Sequence, residues 1–128
     1  MLARLVTPLS SLLMAAASGH LEDEPAPQFA EAAAVTVVLA SEGYPEAPVT
    51  GRPLHGLEAA AAVEGVHLAH AATAEQDGQL VATGGRVLNV VALGNTFFEA
   101  RDRAYGALAE ITLEGSHHRT DIAAQVAE

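Results

Sequence analysis

LVATGGRVLNVVAL, residues 80–93, is the stretch whose reading decides the fold. Two apolar runs rich in β-branched side chains flank Gly84 and Gly85, and a glycine pair between such runs predicts a tight hairpin connection between two strands. Arg86 follows directly, so a guanidinium is expected at the start of the second strand. Upstream, VHLAHAAT at residues 66–73 has strand character, and Asp77-Gly78 is a second turn signal. The pattern predicts an antiparallel β-meander. Downstream, Phe97, Ala100, Ala104, Leu108 and Ile111 recur at steps of three and four, the spacing of a buried helical face. Thr96 and Glu99 have the spacing of a capping box at its start. The fold class expected is therefore α+β, with a long helix packed across an antiparallel sheet.

Working outward, AAVTVVLAS from residue 33 is apolar at both alternating positions, as a central strand covered on both faces would be. Residues 42–53 carry two glycines and three prolines and predict a long loop. Residues 56–62 suit a short helix, alanine being the best helix former. The first 18 residues place Leu2, Leu5, Val6, Leu9, Leu12, Leu13 and Ala16 on one helical stripe that needs burial. Thr7 and Pro8 resemble a cap and first-turn proline, and Gly19 a stop. A secretory leader is the rival reading of this segment, although Pro8, Ser10 and Ser11 interrupt its apolar run. Residues 20–28, with three consecutive acids and two prolines, suit an exposed connector. The end of the chain predicts a short helical pattern.

Composition bounds the chemistry. The 128 residues support one ordinary domain. Without cysteine there is no disulfide framework or thiolate metal site, and the cytoplasm is the expected compartment. A net charge of −10 repels phosphate polymers and anionic lipid, so neither nucleic acid nor membrane is expected as a partner. All six cationic side chains are arginines, so a Schiff base within this chain is excluded. Arg86 beside two glycines suits a phosphate or carboxylate, through backbone approach and a guanidinium fork, or else simply pairs with an acid. His67 and His70, three apart on a strand, should lie on opposite faces and cannot share a metal. His117, His118, Arg119 and Asp121 form a polar cluster near the terminus that touches a ligand or is merely solvated. No nucleophile elbow or Walker loop is present.

Five ordered blocks resemble the C-terminal part of the phosphoribosylamine-glycine ligase family, also called glycinamide ribonucleotide synthetase. They are VTVVLASEGYP at residues 35–45, HAAT at 70–73, DGQLVATGGRVLNVVALG at 77–94, EARDRAYGAL at 99–108 and HRTDIA at 118–123. Residues 1–31 are similar to the helical tail of an ATP-grasp domain with an acidic linker, and residues 32–128 to the C-terminal domain. The family usually has glycine where Ala72 stands and tyrosine where His118 stands. The resemblance implies a purine-synthesis ligase joining 5-phosphoribosylamine to glycine with ATP and magnesium or manganese. It implies no catalytic and no metal-binding residue in this chain. It assigns Gly84, Gly85, Arg86 and His70 to substrate binding, and makes the partner the N-terminal and ATP-grasp portion. By this resemblance the chain alone binds no nucleotide or metal and is inactive. The alternative is a non-catalytic acidic binding or assembly module that keeps the fold.

Overall fold

A computed structural model describes residues 1–127; the last residue of the expected terminal helical pattern, at 128, lies outside them. The elements in order are α1 (Leu9–Ser18), β1 (Ala33–Ala40), α2 (Leu57–Ala61), β2 (Val66–His70), β3 (Thr73–Gln76), β4 (Gln79–Ala82), β5 (Arg86–Gly94) and α3 (Phe97–Glu110). The α+β class, antiparallel pairing and helix across the sheet follow the sequence expectation. Beta pairing forms a three-stranded sheet in the order β1-β5-β2 and a separate β3-β4 hairpin. Asp77 and Gly78, with φ of 51° and 76°, make the hairpin turn that their types predict.

Two expectations about the strands need correction. Gly84-Gly85 does not close a hairpin, because β4 pairs with β3 while β5 pairs with β1 and β2. Neither glycine has the positive φ of the favoured two-residue hairpin turn, so the pair instead carries the chain from one sheet to the other. The central strand is β5 rather than β1. In β1 only Val35, Val37 and Leu39 on one face, with terminal Ala40, are buried, while Thr36 and Val38 stay exposed.

The core lies between that buried face, the inward face of β5 (Leu88, Val90, Ala92) and α3. Ala100, Ala104, Ala107 and Leu108 form the buried stripe of α3, small side chains that let it lie close to the strands. Phe97, expected on this stripe, is instead 44 % exposed, because it sits a turn early, at the sheet's end. The Thr96 hydroxyl accepts from Glu99 N at 3.1 Å and the Glu99 carboxylate accepts from Asn95 N at 2.6 Å, so the capping box forms with its second arm one residue early.

The N-terminal segment is less covered. Thr7 does not cap α1; its hydroxyl accepts from Gln28 N at 2.8 Å, tying the connector back, and Pro8 occupies the cap position. Gly19, at φ 76°, ends the helix as expected. Only Ala15 of α1 is buried, so most of the apolar stripe that sequence reasoning requires to be buried (Leu2, Val6, Leu9, Leu13) is exposed, with Leu5 and Leu12 half-buried. Residues 122–126 form turns rather than the expected helical pattern. Among the described residues no helix is long and apolar enough to cross a membrane.

Candidate functional site

Strand alternation sends Leu88, Val90 and Ala92 into the core, and by the same period Arg86 would follow them inward. It does not, because the β1–β5 register shifts between Leu39 and Ala40: Leu39 faces Leu88, whereas Ala40 faces Arg86. Val87 is the extra residue of this bulge and is fully buried. The bulge turns Arg86 to the open side of the sheet, where Val38 and Asn89, themselves register partners, also point.

Four of the resembling blocks are laced together around that arginine. Ser41, buried at the end of β1, donates from Oγ to Gly84 O at 2.7 Å and from N to Gly85 O at 2.8 Å. Ala72 N donates to Arg86 O at 3.0 Å, and Thr83 N to Ala72 O at 2.9 Å. His117 and Ala40 exchange two backbone bonds of 2.9 Å, which brings the 117–119 segment alongside. Ala72 does not have a positive φ, so alanine in place of the family's usual glycine is unstrained, and its Cβ packs beside Gly84.

The result is an open cleft of about 650 Å³ bordered by Val38, Tyr44, Ala72, Gly85, Arg86 and Asn89. Tyr44 was not singled out by sequence reasoning. Its ring packs where a side chain on Gly85 would stand, which fixes the loop of residues 42–53 against the glycine pair. The only signal for it is its place in the EGYP block.

Partnering of the arginines is uneven. Arg52 pairs with Glu42, Arg103 with Glu99 at 2.7 Å and Arg119 with Asp121 at 2.5 Å. Arg4 donates to Ala30 O, and Arg101 to the carbonyls of Thr120 and Ile122. Arg86 alone makes no ion pair or side-chain hydrogen bond among the described residues, in a chain with sixteen acids. No acid pairs with Arg86 among the described residues. In the terminal cluster the Arg119 hydrogen bond holds the Asp121 carboxyl below the usual aspartate range, and that same bond raises the Arg119 guanidinium.

His70 is placed apart from Arg86. Its Nδ1 lies 3.0 Å from Thr73 Oγ1, and with His67 it borders a different groove beside the edge strand β2 and α2; His67 faces Val91 and His70 faces Leu88 in the β2–β5 register, so the two stand on opposite faces as alternation predicts. Among the described residues no three His, Asp or Glu side chains gather where they could hold a metal ion.

The family model "Phosphoribosylglycinamide synthetase, C domain" matches residues 34–125. The chain belongs to that family. As a synthetase C domain it is similar to the phosphoribosylamine–glycine ligases of Leifsonia xyli, 63 % identical over 97 % of this chain, and Streptomyces coelicolor, 53 % identical over 98 %. It spans only 30 % and 31 % of the length of these two curated relatives. The crystal structure of the Thermotoga maritima phosphoribosylamine–glycine ligase is similar at a TM-score of 0.61 and 41 % identity, covering 69 % of this chain and 21 % of that one. Among the described residues of this synthetase C domain, one guanidinium, that of Arg86, stands unpartnered over an open cleft.

Proposed function

We propose that the chain is the C-terminal portion of a phosphoribosylamine–glycine ligase and that its cleft contributes the phosphate contact for phosphoribosylamine. The observation that carries this is Arg86, turned outward by the Val87 bulge and left without an acidic partner. A guanidinium offers a phosphate two parallel charge-assisted bonds, and Gly84 and Gly85 serve the site by accepting the Ser41 bonds and seating the Tyr44 ring beside it. His70, bonded to Thr73, acts by shaping the 70–73 turn that backs Arg86 through Ala72.

In the complete enzyme the glycine carboxylate is activated as an acyl phosphate at the expense of ATP. The amine of phosphoribosylamine then attacks the carbonyl, forming the amide and releasing phosphate. This chain's share is to bind and orient the sugar phosphate so that its amine meets the activated carbonyl. ATP, magnesium or manganese and glycine belong to the N-terminal and ATP-grasp portion, which is the expected partner. Residues 1–31 form the helical tail of that portion and residues 32–128 the C-terminal domain. The net charge of −10 supports a partner that is neither nucleic acid nor membrane, and the cysteine-free composition supports a cytoplasmic setting.

Fusing the chain to the upstream two thirds of the Leifsonia xyli ligase tests the reading. The fusion should form glycinamide ribonucleotide from phosphoribosylamine, glycine and ATP, while the 128-residue chain alone should not. A folded fusion without activity would favour an assembly module that keeps the fold and has lost the chemistry.

A further inference from the structure

Beside the Arg86 cleft lies a second hollow of about 260 Å³ that shares Val38, Tyr44 and Arg86 with it and is closed on its far side by His117 and His118. Its wall is carbon, from Val38, Ala40 and the Tyr44 ring, and the charged groups sit at its rim. A sugar phosphate has no use for such a wall, because its hydroxyls prefer water to hydrocarbon. A flat aromatic ring does, since it loses little on leaving water and gains ring-face contact.

The rings here are held in place. His118 packs on Tyr105 with centroids 5.9 Å apart, and Tyr105 is in turn covered by the Arg101 guanidinium at 4.7 Å. Charge at the rim is also assigned: Arg119 is occupied by Asp121, and Glu42, from the same loop as Tyr44, is neutralised by Arg52. Among the described residues one free cation therefore stands between a polar cleft and an apolar one. We propose that the apolar hollow receives the aromatic ring of a phosphate monoester, of the nucleoside monophosphate class, whose phosphate lies on Arg86. This rests on the reading of Arg86 as the phosphate contact. A ligand so bound occupies the guanidinium that the sugar-phosphate substrate needs, and excludes it.

Adenosine 5′-monophosphate and ribose 5-phosphate differ only by the base, so the pair isolates the hollow from Arg86. Titrated into the 128-residue chain at fixed pH and low salt, the nucleotide should bind about tenfold tighter than the sugar phosphate, as one stacked ring provides. His118→Ala should erase most of that difference while leaving ribose 5-phosphate binding in place; Tyr44→Ala should erase it too, and because Tyr44 also borders the Arg86 cleft, ribose 5-phosphate binding is read on the His118 variant. His118 is exposed, so its replacement leaves the core intact even if Tyr44→Ala unfolds the loop. Arg86→Ala should weaken both ligands together. Equal affinity of the two ligands, or a preference that survives both ring substitutions, overturns this inference and leaves the Arg86 reading standing. Ribose 5-phosphate binding that is absent, or unaffected by Arg86→Ala, overturns both.

Discussion

Tyr44 and Gly85, forty-one positions apart, occupy one space: a Cβ built on Gly85 would come within 2.8 Å of Tyr44 Cε2, and closer still to Cδ2. Gly85 is glycine here for room, since its φ lies outside the left-handed region. Gly85→Ala should therefore cost about 1–3 kcal/mol by overpacking. Tyr44→Ala in the same chain should return much of that loss, because the colliding ring is gone. Denaturant unfolding of the two single variants and the double variant checks this; strictly additive losses would show that the two residues do not compete.

Tyr105 fastens the end of the chain to α3, donating to Arg119 O at 2.7 Å and accepting from Ile122 N at 3.2 Å. Tyr105→Phe keeps the ring that supports His118 and removes both bonds. The expected outcome is a loss of about 1 kcal/mol and faster hydrogen exchange at the Ile122 amide. Unchanged protection of that amide would contradict the fastening.

Asp121 is held below the ordinary aspartate value of about 3.9 by its hydrogen bond from Arg119. A carboxyl depressed in the folded state contributes stability that is present above the unfolded value and lost as pH falls through the folded one. Both groups are exposed, so the contribution is small and screened by salt. An NMR titration should place the Asp121 midpoint below that of a free aspartate, and Arg119→Ala should move it upward. An unmoved midpoint would remove the pair from the account.

Leu13 and Met14 of α1 are 61 % and 70 % exposed, and Leu2 and Val6 add to the same uncovered N-terminal segment. Apolar side chains in that state associate with one another across molecules. Leu13→Glu with Met14→Glu should leave unfolding free energy within about 0.5 kcal/mol, as surface changes do. Sedimentation velocity should show less self-association than in the parent chain. Equal association in both would place the contact elsewhere.

The sequence made the local features legible and the long-range ones only partly so. The capping residues Thr96 and Glu99 and the Asp77-Gly78 turn are written in neighbouring residues, and each forms. Gly84-Gly85 carried the same hairpin signal as Asp77-Gly78. What separates them is a contact forty-one residues away, with Tyr44, and the bonds from Ser41, which no local pattern encodes. The β1 strand read as central because its outward Val38 is apolar; that residue instead walls the cleft. Arg86 was visible as a candidate, but the bulge at Val87 that turns it outward depends on strand register. The exposed stripe of α1 was misjudged because an apolar helical face states a need for cover without naming what supplies it.

Arg86→Ala in the fusion with the Leifsonia xyli upstream portion is the most direct test. A lost charge-assisted phosphate contact is worth about 1.5–3 kcal/mol, so the KM for phosphoribosylamine should rise roughly 10- to 100-fold, with the KM values for glycine and ATP unchanged. An unaltered KM for phosphoribosylamine in a folded, active fusion would contradict the assignment of this cleft to the substrate phosphate.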